Sequence, residues 1–147
     1  VLFRSKEDVK VVQCKAVEEL VRNSDIICTT TPSTTPVLPD DKELLRGKCI
    51  IAIGSYMPEM REIPDAVLDL VDNVYIELPY ACEESGDLSQ PLASGKLTKD
   101  RIKLMHEYLI SGEKEIKEGQ TTYFKSVGMG LFDVCIAQKL YEVAKEK

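Results

Sequence analysis

Short runs rich in Val, Ile and Thr alternate with stretches of helical periodicity, and this alternation constrains the fold of the 147-residue chain more than any other feature. The runs are 9–14 (VKVVQC), 25–30 (DIICTT), 48–54 (KCIIAIG), 73–78 (NVYIEL) and 121–127 (TTYFKSV). Several are apolar on both faces, the pattern of strands covered on both sides in a parallel sheet. Between them, 16–22 sets Val17, Leu20 and Val21 on one helical face, and 39–45 carries Asp40 and Asp41 where acids suit the helix dipole. A helix over 63–71 starts at Pro64. Thr98 caps an expected helix over 98–110 with Ile102, Met105 and Leu109 on one side and Gly112 past its end. The last expected helix, 131–145, aligns Phe132, Ile136, Leu140 and Val143. The polar stretches 31–36, 83–97 and 111–120 read as linkers.

Strands alternating with helices imply an α/β fold built on a mostly parallel sheet with right-handed crossovers. Ligands of such sheets bind beyond the carboxyl ends of the strands. Two connections therefore matter most: TTTPSTTP after the second run and GSYMPEM after the third.

Composition narrows the function classes. Nineteen Lys+Arg against 25 Asp+Glu give a net charge of -6. An acidic chain without a basic stripe is a poor partner for nucleic acid. The longest strongly apolar run, 49–53, is too short to span a bilayer, and the first residues carry no signal-peptide pattern. A cytoplasmic protein without a membrane partner is expected. The five cysteines are odd in number, and Cys14, Cys28 and Cys49 sit in apolar runs, so core thiols in a reducing compartment are expected. With His106 the only histidine and no paired cysteines, no metal site is expected.

The motifs leave several readings open. The TTTPSTTP loop is either a polar connection with two prolines or a hydroxyl-rich loop facing a phosphate, ribose or nicotinamide. Gly54 either permits a turn or lets a ligand approach the backbone. Gly128-Met129-Gly130 imitates the start of a dinucleotide fingerprint. Asp133 holds the third glycine position, though, and the 17 residues after Gly130 leave no room for a ribose-binding strand. Glu83, Glu84 and Asp87 form an acidic patch that reads as solvated surface or as carboxylates lining a pocket for a cationic imine or amine. His106, mid-helix without a visible partner, reads as a structural or surface residue.

Four ordered segments, NSDIICTTTPSTTPVL, LRGKCIIAIGSYMPEMREIP, EESGDLSQPL and TTYFKSVGMGLFDVCIAQKLYEVA, together resemble the ornithine cyclodeaminase/mu-crystallin family. The resemblance implies an NAD(P)-binding Rossmann-like domain over 1–130, lacking the first βα unit. It also implies a C-terminal helix over 131–147 that returns toward a substrate and dimerisation domain. It implies the chemistry of NAD(P)-dependent ketimine reductases, amino-acid dehydrogenases and cyclodeaminases, acting on a small imine or amino acid as a homodimer. The alternatives within the family are a non-catalytic, mu-crystallin-like binding protein and an inactive fragment. Carried over by position, Thr30, Thr31, Pro32, Ala52, Ile53 and Gly54 line the nicotinamide, Ser126 reaches its end, and Glu84 lies near a substrate-facing position. The opening VLFRSKE is similar to the ribose-reading end of the second Rossmann strand, although the helix that should follow it is shortened to a few residues around 8–10. There Arg4 and Ser5, with no acid before Glu7, favour NADP over NAD. Tyr56 stands where the cyclodeaminases carry an aspartate, so it is the candidate catalytic residue. A phenol is a poor base at neutral pH but can donate a hydrogen bond or cover a ring face.

Overall fold

In a computed structural model of the chain, residues 10–112 and 116–145 are described. Five parallel strands form one sheet: β1 (Ile26–Thr29), β2 (Cys49–Ala52), β3 (Val74–Ile76), β4 (Ile102–Leu104) and β5 (Thr122–Lys125). Their spatial order is β1-β2-β5-β3-β4, so the last strand in sequence enters the middle of the sheet. Register aligns Ile27, Ile50, Tyr123, Val74 and Ile102 in one row and Thr29, Ala52, Lys125, Ile76 and Leu104 in the next. These two rows share one face. Among the described residues seven α-helices accompany the strands: α1 (Val17–Arg22), α2 (Lys42–Leu45), α3 (Asp65–Leu70), α4 (Ala81–Glu84), α5 (Gly86–Ser94), α6 (Met105–Ser111) and α7 (Gly130–Lys145).

The core gathers Val21, Leu45, Val67 and Leu88 from helices with Ile27, Ile50, Val74, Ile76 and Tyr123 from the strands. Local chemistry fixes the helix ends. Asp41 caps α2 by accepting from the N–H groups of Glu43 and Leu44, while Asp40 reaches across to accept from Ala66 N in the first turn of α3 at 2.8 Å. Arg101 closes the other end of α3, donating to the carbonyls of Leu68 and Val71 at 2.6 Å each. Both devices satisfy groups that a helix terminus leaves open.

Four expectations need correction. Residues 10–14 form no strand, and Val11 and Val12 are exposed. Strand propensity needs a ladder partner, and none of β1–β5 pairs with this run. The helix expected over 98–110 begins as a 3₁₀ turn (Lys99–Arg101), continues as β4 and turns helical only at α6. Pairing of Ile102 and Leu104 with Val74 and Ile76 overrides the helical spacing. The supposed linker 83–97 contains the end of α4 and all of α5, where Ser85 accepts from Asp87 N at the start and Gly95 takes the left-handed conformation at the end. α5 begins at Gly86 and accommodates Pro91 within it.

The fourth correction concerns burial. In β1 only alternate residues are buried; Ile26 is 65% exposed and Cys28 is exposed on the face opposite the core. Cys135 is exposed and Cys14, Cys49 and Cys82 are half-buried, so none of the five free thiols is a fully buried core residue. The opposite face is closed at β3, where Tyr75 meets Tyr108 of α6 with ring centroids 5.0 Å apart. Among the described residues no helix is long and apolar enough to cross a membrane.

Candidate functional site

The sheet ladder continues beyond the strand ends, which brings three connections side by side. Ile53 N donates to Thr29 O at 2.9 Å, and Ser126 N donates to Ala52 O at 3.0 Å. The segments after β1, β2 and β5 therefore fan out from adjacent strands, at the carboxyl edge where such sheets bind ligands. Sequence reasoning chose residues on all three.

Their exposure differs. Thr30, Pro32 and Ile53 are exposed, and Thr31 and Gly54 are half-buried. Ala52 is wholly buried in the core row, so it can offer a ligand only its backbone, and its carbonyl already accepts from Ser126 N. Ser126 is 8% exposed, and its hydroxyl donates to Glu77 Oε1 at 2.9 Å. Tyr56 is 55% exposed on the connection after β2. Glu84 is exposed at the end of α4. Arg4 and Ser5 lie outside the described residues.

Buried acids hold this edge together. Glu62 is wholly buried, and its two carboxylate oxygens accept from the two neighbouring connections: Oε1 from Thr31 N and Thr31 Oγ1, Oε2 from Thr29 Oγ1 and Gly54 N. Backbone bonds reinforce the clasp, since Arg61 N donates to Ser33 O and Val37 N donates to Glu62 O, each at 2.8 Å. The third connection hangs on Glu77. Its Oε1 also accepts from Val127 N at 2.6 Å and Gly128 N at 3.1 Å, and Tyr80 donates its hydroxyl hydrogen to Gly128 O. Gly128 has φ +90°, a conformation that favours glycine.

Beneath lies an ion pair. Asp87 Oδ1 accepts from Glu62 N at 2.7 Å and Ile63 N at 2.9 Å. Its Oδ2 is 3.6 Å from Lys125 Nζ, with both side chains 0% exposed. Burial raises the Asp87 carboxyl above its usual range, opposed by the two backbone N–H groups and the Lys125 charge. Burial likewise lowers the Lys125 ammonium, opposed by Asp87 and Glu62. Nearby, Ser55 donates to Met60 O, so the 2.8 Å contact between the Ser55 and Ser85 hydroxyls has Ser85 as donor.

Two sequence readings change here. Glu83 and Glu84 are solvated, but Asp87 is 2% exposed and organises the interior, so the acidic patch is not one surface. Glu62, Glu77 and Lys125 carry no motif that marks them, and charged residues are seldom fully buried unless paired. The one available signal was the alternation of TTYFKSV, which puts Lys125 on the same strand face as Tyr123. No cluster of three or more potential metal ligands occurs among the described residues.

Comparison with known proteins matches residues 2–147 to the model of the ornithine cyclodeaminase/mu-crystallin family. The chain belongs to that family. It is 38% identical over 136 residues to a Delta(1)-pyrroline-2-carboxylate reductase of Bacillus cereus, covering 90% of this chain and 41% of that protein. It is 34% identical over 135 residues to the ketimine reductase mu-crystallin of Mus musculus, covering 92% and 40%. Its fold matches that of the Thermococcus litoralis Delta(1)-pyrroline-2-carboxylate reductase, solved in complex with NADH and L-proline, with a TM-score of 0.74 at 24% identity over 90% of this chain and 42% of that one. This family member thus spans about two fifths of the length of the relatives it matches.

Proposed function

We propose that this chain supplies the nicotinamide-facing strand edge of an NAD(P)-dependent reductase acting on cyclic imines derived from amino acids. The observation that carries the reading is the clasp of three adjacent connections by the buried carboxylates of Glu62 and Glu77. Family membership and the two reductase relatives support the substrate class.

The rim fits the cofactor. The exposed Thr30 hydroxyl offers a neutral hydrogen-bonding group for a carboxamide, while the Thr31 hydroxyl and the Gly54 and Gly128 N–H groups are held by Glu62 and Glu77 and fix the backbone beside it. Glu62 and Glu77, which hold these backbones, are themselves buried below the rim. When bound, the nicotinamide supplies or takes the hydride. This chain's own residues position and enclose. Ile53, 41% exposed, presents apolar surface that excludes water, and the rigid clasp keeps the rim from rearranging. Tyr56 offers a proton or a covering ring to the imine side; it lacks the carboxylate a cyclodeaminase would use to activate water.

NADP is the favoured dinucleotide, because Arg4 and Ser5 suit a 2′-phosphate. Arg4→Ala in the whole protein weakens NADPH binding much more than NADH binding; equal losses overturn this preference. The homodimer and the return of 131–147 to a substrate domain belong to the same proposal. The deciding experiment follows NADPH oxidation by the whole protein with Δ1-pyrroline-2-carboxylate and its six-membered homologue. Turnover supports the reading, and ornithine-dependent ammonia release without imine reduction overturns it.

A further inference from the structure

We infer that Glu62 is a positioning residue for hydride transfer, setting the separation of the Thr31 and Gly54 backbones; this rests on the reading that those backbones face the nicotinamide. Glu62 is 0% exposed and cannot touch a ligand, so any effect it has on the reaction passes through the groups it holds.

Its carboxylate is fully engaged. Each oxygen takes one backbone N–H and one hydroxyl: Thr31 N at 2.5 Å and Thr31 Oγ1 at 2.9 Å on Oε1, Gly54 N at 2.8 Å and Thr29 Oγ1 at 2.9 Å on Oε2. A hydroxyl can turn to accept instead, but a backbone N–H cannot. A glutamine at 62 therefore sets its NH₂ against an N–H whichever way the amide is flipped. An aspartate is one methylene too short to serve both connections without moving Glu62's own backbone. That backbone is fixed on both sides, N to Asp87 Oδ1 at 2.7 Å and O to Val37 N at 2.8 Å. Nor can the two connections close on each other without it. A Cβ added to Gly54 would overlap Thr31 N and Thr31 O and lie 2.6 Å from Glu62 Oε1, so the segments already touch and only the carboxylate joins their donors. Thr31 and Gly54 belong to different strand ends, so a shift at this one side chain alters the width of the rim rather than the place of one atom.

The test uses Glu62→Gln in the whole protein, read by NADPH fluorescence titration, steady-state imine reduction, thermal midpoint and amide hydrogen exchange. A positioning role predicts that kcat falls roughly 10–100-fold, because small misplacements of reacting groups cost that much. The imine KM and the NADPH dissociation constant stay within about threefold. Exchange quickens at the Thr31 and Gly54 amides. A folded variant with kcat within twofold of wild type overturns the inference, as does a loss of rate that merely follows the loss of folded protein. If Glu62→Gln does not fold, Thr29→Val decides. It removes one donor to Oε2 from a side chain only 5% exposed. It is expected to lower kcat about 2–5-fold with faster exchange at Gly54, and an unchanged kcat overturns the inference. A wild-type protein that neither binds NADPH nor reduces imines sinks the functional reading itself, and that failure is visible before any variant is made.

Discussion

Lys125 Nζ stands 3.6 Å from Asp87 Oδ2 in a fully buried pair that joins the central strand to the first turn of α5. Among the described residues neither atom has a hydrogen-bond partner. The contact is therefore ionic, and it sits in a medium that penalises both charges.

The pair should answer to mutation asymmetrically. Lys125→Met leaves the Asp87 carboxylate buried without its cation and is expected to cost about 3–5 kcal/mol. Asp87→Asn keeps the acceptor for Glu62 N and Ile63 N but strands the ammonium. The double variant should be more stable than the sum of the single losses predicts. The signs agree: Asp87, raised by burial, contributes most when protonated and loses that contribution as pH climbs through its folded value. Lys125, lowered by burial, contributes most when neutral at high pH and loses that contribution as pH falls through its folded value. Both carry their burial cost at neutral pH. Urea denaturation of the four-member cycle measures the coupling.

Gly54→Ala should be among the most damaging small substitutions. The added methyl meets the Thr31 backbone and the Glu62 carboxylate, neither of which has room to retreat. The expected loss is about 3 kcal/mol or more, at the upper end of overpacking costs. Thermal unfolding checks it, and Gly95→Ser, where a Cβ meets nothing within 4 Å, separates this collision from backbone strain alone.

Asp69 bridges Lys42 at 2.7 Å and Lys96 at 2.5 Å. Hydrogen bonding from Lys42, then from Lys96, holds its carboxyl below the usual value of 3.8. A depressed acid contributes stability above its unfolded pKa and loses it as pH falls through the folded one. Its carboxylate is 31% exposed, so solvent screening keeps the contribution to roughly 0.5–1 kcal/mol. Asp69→Asn should lose that amount at pH 7, less in high salt, and nothing once the wild-type group is protonated in acid. Denaturation across pH follows the convergence.

Tyr56→Phe keeps the ring and removes the proton. Imine reduction by the whole protein is expected to fall at least about 100-fold, the lower range for loss of a proton donor. An unchanged rate reduces Tyr56 to a wall of the pocket.

The stripe on α7 is exposed: Phe132 47%, Ile136 63%, Leu140 65% and Val143 42%. Ile136→Glu with Leu140→Glu should change the stability of this chain by less than about 0.5 kcal/mol, since neither side chain is buried. In the whole protein the same pair should block assembly, read as a shift in size-exclusion elution. An unaltered elution position means the stripe covers nothing.

Much of the fold was legible because its signals are local. The β-branched runs that became β1, β2, β3 and β5 and the amphipathic stretches of α1, α3 and α7 need no partner to be recognised. The failures share a cause. Residues 10–14 had strand propensity but no ladder, while Ile102–Leu104 had helical spacing but a ladder waiting at β3. The stretch 83–97 read as a polar linker, yet Ser85 and Gly95 cap the helix α5 within it.

The sequence by itself determined the alternation of strands and helices, the parallel sheet, the family and the three connections at its carboxyl edge. Those follow from side-chain periodicity and short motifs, which act over a few residues. Only the tertiary structure decided that β5 enters between β2 and β3, and this places Lys125 over Asp87. It also decided that Glu62, 33 residues from Thr29 and eight from Gly54, clasps both. A charged side chain has no sequence signature of burial. Whether it faces water or becomes the acceptor of four donors depends on which distant backbone groups the completed sheet leaves without a partner.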